Sequence, residues 1–157
     1  MKGFVIPEQG HIIPILYPIS MNTIATEPDY VNMEGYGHMD IIIALGVANA
    51  GAVTFTLKYA SSGSGGTAMA FYYYKEITAS TDILGARTLA TTAGFAASND
   101  TVSNTFYVIS LDASELPDGY NFVGLVASGA TTSTPGCAIG VLSGARYGAP
   151  ESPTVQS

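Results

Sequence analysis

The sequence predicts an all-β protein, a single antiparallel β-sandwich of Ig-like or jelly-roll-like type with an extended N-terminal arm. Three observations lead there. Short runs of β-branched and aromatic residues recur along the chain, separated by clusters of Gly, Ser, Thr, Asn and Pro. Several of these runs alternate apolar and polar residues with a period of two. No segment sustains a helical period.

Residues 1–37 form the expected arm. Pro7, Pro14, Pro18 and Pro28 forbid a continuous helix and remove ladder donors, so the segment reads as extended and irregular. It is nevertheless too apolar for a free tail. Burying each large aliphatic contributes roughly 1.5–3 kcal/mol, and fixing each backbone residue costs roughly 1–2 kcal/mol. The arm therefore orders only against a surface already formed, either its own sandwich or a neighbouring subunit. Phe4, Ile6, Ile12, Ile15, Leu16 and Tyr17 are its candidate interaction residues.

The sandwich is expected over 38–147. Its first segment, MDIIIALGVANAGAVTFTLKYA (Met39 to Ala60), carries no charge between Asp40 and Lys58 and raises the question of a membrane span. A membrane helix needs about 20 consecutive apolar residues. Here ANAG (Ala48 to Gly51) interrupts the run, and strict alternation follows. Val53, Phe55, Leu57 and Tyr59 fall on one side; Thr54, Thr56 and Lys58 fall on the other. Before the interruption, Ile41, Ile43, Leu45 and Val47 line one face. Ile42, Ala44, Gly46 and Ala48 line a second face that is small and apolar, and so also suited to packing. The expected structure is a β-hairpin.

Further strands are expected at Ala68 to Thr78, Asn104 to Asp112, Tyr120 to Ser128 and Cys137 to Ser143, with a short one near Arg87 to Thr92. In DASEL, Asp112 and Glu115 have the spacing of a capping box for a single helical turn. ELPDGY (Glu115 to Tyr120) is similar to the Leu-Pro-x-x-Tyr corners of Ig-like and fibronectin-like sandwiches, in which the tyrosine hydroxyl bonds back to nearby backbone. The polar, Pro-rich residues 148–157 read as a loose tail.

Composition narrows the function. Charged residues make up 11% of the chain, against about 25% in an ordinary soluble domain. A surface so poor in charge is weakly protected against association, which points to coverage by other subunits. The net charge of −7, with five scattered cations (Lys2, Lys58, Lys75, Arg87 and Arg146), argues against nucleic acid. The opening MKGFVIPEQGHIIP does not read as a secretory signal, because Pro7 and Glu8 interrupt any apolar core. Cys137 stands alone, so no intrachain disulfide is expected.

Candidate chemistry is weak throughout. GSGGTA (Gly63 to Ala68) fits a dinucleotide fingerprint in letters, but that fingerprint opens a helix and here a strand follows, so a hairpin loop is expected. Asp112, Glu115 and Asp118 lack the alternating ligand spacing of a calcium loop and read as a capped turn followed by an Asp-Gly turn. His11, His38 and Cys137 have no paired spacing for a metal, and no serine or cysteine has a recognisable histidine and acid partner. Asn99-Asp100-Thr101 is a formal glycosylation sequon with no signal segment to deliver it. No catalytic, cofactor-binding or metal residue is assigned. Tyr72, Tyr73 and Tyr74 alternate in and out along one strand; Tyr72 and Tyr74 are candidate interaction residues on a sheet face, for a protein or a sugar ring.

The segments LGARTLATTAGF, FYVISLDASELPDGYNFVGLVAS and AIGVLSGARYG resemble small virion structural proteins of tailed bacteriophages, over about Tyr30 to Tyr147. The resemblance implies a non-enzymatic protein of the particle, most specifically a capsid decoration or cement protein made in the host cytoplasm. Its implied partners are the major capsid protein and further copies of itself, often as trimers, with no cofactor. A head–tail joining or tail component and a receptor- or glycan-binding module are the alternative positions.

Overall fold

The period-two runs become strands of two antiparallel sheets packed face to face, a β-sandwich. The computed structural model describes residues 6–21, 28–47, 52–77, 83–97, 104–129 and 134–145. In chain order these form a helical turn α1 (Ile6–Gln9) and strands β1 (His11–Ser20), β2 (Tyr30–Asn32), β3 (Tyr36–Leu45) and β4 (Thr54–Ala60). There follow β5 (Thr67–Met69), β6 (Phe71–Lys75), β7 (Thr88–Ala90), β8 (Phe95–Ala96), β9 (Thr105–Asp112), β10 (Phe122–Ser128) and β11 (Pro135–Ala145). One sheet has six strands in the order β1-β11-β3-β9-β6-β7. The other has the path β2-β10-β4-β5, with β8 paired to β4.

The core lies between the sheets. Ile41, Ile43, Tyr107, Ile109 and Leu111 turn inward from the six-stranded sheet and meet Phe55, Leu57, Val123 and Leu125 from the other. Phe95 joins the two layers. Its ring stacks on Tyr73 at 4.0 Å and lies 5.1 Å from Tyr107, 5.7 Å from Phe55 and 6.0 Å from Phe71. The turn that delivers Phe95 needs Gly94, whose φ of +81° suits glycine and whose missing side chain leaves room for the Phe55 carbonyl.

The N-terminal segment differs from the expected irregular arm. His11 to Ser20 is extended, but it is a regular edge strand of the chain's own sheet, paired antiparallel with β11 from His11–Leu142 to Ser20–Pro135. Pro14 and Pro18 are tolerated because an edge strand leaves one side without ladder partners, and the register shifts on either side of Leu16 absorb the irregularity. Ile13 and Ile15 are 2% and 4% exposed in the shared core, so residue 37 is not where the sandwich begins. Pro7 falls in the first turn of α1, where a missing N–H costs nothing. Phe4, the sequon at Asn99 and the tail 148–157 lie outside the described residues.

Two further expectations are corrected. Met39 to Ala60 is not a hairpin: β3 belongs to the six-stranded sheet and β4 to the five-stranded one, so the connection crosses between layers. The run from Ala68 is not one strand. β5 pairs with β4, the chain changes layer at Ala70, and β6 pairs with β9. Other expectations hold. β4 and β5 form a hairpin around the glycine-rich loop, and the Asp112 backbone N–H donates to Glu115 Oε2 at 2.9 Å, as a capping box requires. Tyr120 does not repeat the sandwich corner: it stands at the surface with its ring edge-on to Tyr59 at 4.8 Å. Among the described residues no helix is long and apolar enough to cross a membrane.

The outer faces of the two sheets differ. On the five-stranded sheet, β4 turns Thr54, Thr56 and Lys58 outward. Tyr30, fully buried, lies over Gly124 and accepts a 2.8 Å hydrogen bond from the Gly66 N–H on its hydroxyl. A side chain at Gly66 would collide with that hydroxyl, and one at Gly124 would meet Pro28 at 2.7 Å. The chain's own residues therefore cover part of this face.

Candidate interaction surface

The outer face of the six-stranded sheet is built from the residues that alternate with the core. Its register places Pro14 opposite Ile139, Ile139 opposite Ile42, Ile42 opposite Val108 and Val108 opposite Tyr74. At about 4.8 Å between strands, this unbroken apolar row runs roughly 19 Å across the sheet. The neighbouring row pairs Ile12 with Val141, Val141 with Asp40 and Asp40 with Ser110, and Tyr72 with Leu89 at the far edge. Cys137, Ala44 and Phe106 extend the face on the other side. Ile12 is 51% exposed, Leu89 56% and Ile139 40%; Val141, with Gly10 beside its Cγ1, is buried. Exposed large apolar side chains sharing one sheet face are a common feature of interaction sites.

The edges of the same sandwich are poor alternatives for association. β1 carries two prolines and two register shifts, while β2, β5 and β7 have only three residues each. Short and proline-interrupted edges resist strand addition.

The expected interaction residues divide between this face and the core. Ile12 lies on the outer face, Tyr17 is 68% exposed near the end of β1, and Ile6 is exposed on α1. Ile15 is buried and so unavailable to a partner, while Leu16 is half-buried and packs against the core. Tyr73 is the inward tyrosine of β6, and Tyr72 and Tyr74 take the outward positions. Tyr72 is capped by its own chain, with the Arg87 guanidinium carbon 3.6 Å from the ring centroid. Tyr74 lines a groove of about 430 Å³ with Asp40, Ile42, Leu84, Gly85, Val108 and Ser110.

A polar cluster that sequence reasoning missed closes one end of the face. His38 Nδ1 lies 2.8 Å from Asp112 Oδ1, and its Nε2 lies 3.1 Å from Asp40 Oδ1 and 3.3 Å from Ser110 Oγ. Ser110, His38 and Asp112 follow the order of a nucleophilic triad. The second carboxylate sets this cluster apart from that arrangement. Burial lowers the pKa of His38, but the hydrogen bonds and charges of Asp112 and Asp40 outweigh it and hold the value above the ordinary one. Asp40 lies nearer to Nε2 than Ser110 does, so the ring nitrogen that a triad would turn to the serine also faces a carboxylate. The same geometry places the two carboxylates on opposite edges of the ring, where they do not converge on a metal; among the described residues no group of three or more metal-ligating side chains does. The cluster ties β3 to β9 through hydrogen bonds from one imidazole to two carboxylates. Its signal in the sequence is the His38–Asp40 spacing, which puts both on one face of a strand; Asp112 joins only through the β3–β9 register.

A raised pKa in the folded state gives a defined pH dependence. His38 contributes its full stabilisation below the unfolded pKa of about 6.5, and that contribution disappears as pH rises through the higher folded value. NMR titration of the His38 ring is expected to give a midpoint above the ordinary value in the native chain and a lower one in Asp112→Asn. A native midpoint at or below the ordinary value would contradict the double pairing.

Comparisons with protein-family models, with curated proteins and with solved structures find no match for this chain.

Proposed function

We propose that this chain is a non-enzymatic structural subunit that works by burying the outer face of its six-stranded sheet against its neighbours in a larger particle. The most specific form of the reading is a decoration or cement protein on the head of a tailed phage, touching the major capsid protein and further copies of itself. The observation that carries the assembly role is the apolar row Pro14–Ile139–Ile42–Val108–Tyr74 on an open face. Six strands about 4.8 Å apart and about seven residues long give a footprint on the order of 500 Å². That is a large part of the ~800 Å² each partner contributes to a stable interface. The low charge of the chain supports the same reading, and the virion position comes from the resemblance of its second half.

The double variant Ile42→Lys/Ile139→Lys tests it. Both side chains point away from the core, so the domain is expected to keep its melting temperature within a few degrees. Burying two lysines against an apolar partner is unfavourable by several kcal/mol, so occupancy in purified particles is expected to fall more than tenfold. Occupancy equal to the native chain, or a native chain that stays monomeric and occurs in no particle, would overturn the proposal. Copy number then separates the positions: hundreds per particle place it on the shell, about a dozen at the neck or tail.

A further inference from the structure

We infer that the groove between Tyr74 and Asp40 is a socket for a guanidinium group, an arginine side chain presented by the protein that covers this face. The inference rests on the reading of the face as an interface and adds the chemistry of its anchor.

The groove has the parts that an arginine needs. Ile42, Val108 and Leu84 supply an aliphatic lining for the methylene stem, Tyr74 supplies an aromatic ring, and Asp40 and Ser110 supply oxygen acceptors. Among the described residues of that lining, Asp40 is the only formally charged one, and there is no lysine or arginine. One of its carboxylate oxygens faces His38; a carboxylate has a second. At about 430 Å³ the groove has room for one long side chain.

The same strand shows the mode of binding two residues away. Tyr72 shares the outward side of β6 with Tyr74 and carries the Arg87 guanidinium 3.6 Å from its ring centroid. Arg87 Nη2 in turn lies 3.9 Å from Glu115 Oε1. Tyrosine, guanidinium and carboxylate thus form a stacked set within the chain. Tyr74 and Asp40 offer the first and third members of such a set. Arginine fits better than lysine, because a planar, weakly hydrated cation stacks on an aromatic face while still meeting a carboxylate. With a net charge of −7, the chain also favours a cationic partner group.

The test is an NMR titration of the isotopically labelled full chain at low salt with Nα-acetyl-arginine methylamide. Matched titrations use the norleucine and lysine derivatives and a hexose. Saturable shifts are expected at Asp40, Tyr74, Val108 and Ser110, with a dissociation constant on the order of millimolar for so small a ligand. The lysine derivative is expected to bind more weakly, and the norleucine derivative and hexose not to saturate. Asp40→Asn, which keeps the shape of the side chain, and Tyr74→Leu, which keeps it apolar but removes the ring, are each expected to weaken arginine binding roughly three- to fivefold, with the amide spectrum away from the groove unchanged. The socket is overturned by the absence of saturation with the arginine derivative, by equal saturation with norleucine, by a preference for the hexose, or by unaltered binding in Asp40→Asn. A chain that ignores the arginine probe yet loses particle occupancy in Ile42→Lys/Ile139→Lys removes the socket and leaves the interface reading in place.

Discussion

Deleting residues 1–20 is expected to leave no cooperatively folded domain. The segment is the edge strand beside β11, and it places Ile13, Ile15 and Leu16 in or against the shared core. At roughly 1.5–3 kcal/mol for each large aliphatic side chain removed from the core, the loss approaches the whole ~5–15 kcal/mol that separates a typical domain from its unfolded state. The deletion also exposes the long edge of β11 and the inner side of Ala138 and Leu142. Circular dichroism with urea titration is the measurement, and a broad or absent transition the expected result. A truncated chain that melts near the native temperature would mean that the segment is an appendage after all. Ile15→Ala is the milder companion, expected to cost about 2–5 kcal/mol.

Phe95→Ala is expected to be among the most damaging single substitutions in the chain. Phe95 sits on a two-residue strand of the five-stranded sheet, and its ring touches aromatic side chains from both layers. Truncating it empties a buried site lined by the rings of Phe55, Phe71, Tyr73 and Tyr107, for which a loss of about 3–5 kcal/mol is typical. Tyr73 also loses its stacking partner, so the near-ultraviolet tyrosine signal is expected to weaken even where the chain remains folded. Phe95→Leu, which restores most of the volume, is expected to recover more than half of the stability. A loss below about 1 kcal/mol in Phe95→Ala would show that the layers are held elsewhere.

Much of the sandwich was legible because its strands alternate. Thr105 to Asp112 and Phe122 to Ser128 were found near their observed limits, since Tyr107, Ile109 and Leu111, then Val123, Leu125 and Ala127, mark a buried side every second residue. The same signal cannot report which sheet a strand joins. Met69, Phe71 and Tyr73 face the interior both before and after the chain changes layer at Ala70, so their alternation continues through the corner. Ile43, Leu45, Val53 and Phe55 behave alike across the connection that resembled a hairpin. In β1 the prolines hid a true strand, because their meaning depends on whether the strand lies at an edge. At the candidate surface, Tyr72 and Tyr74 were readable as outward residues from spacing alone. Their surroundings were not: Asp40 and Tyr74 line one groove only once β9 lies between β3 and β6, and His38 meets Asp112 only through the β3–β9 register.

The strand order has a consequence for how the molecule is made. β11 occupies the slot between β1 and β3, so the last described strand completes a gap framed by two of the first. On the ribosome, β1 has no ladder neighbour until some 120 further residues have been synthesised, and Ile13 and Ile15 wait with it. Contacts this distant along the chain slow folding and prolong the exposure of sticky intermediates. The nascent chain is therefore expected to depend on chaperones until β11 emerges, and then to close this sheet in a late step.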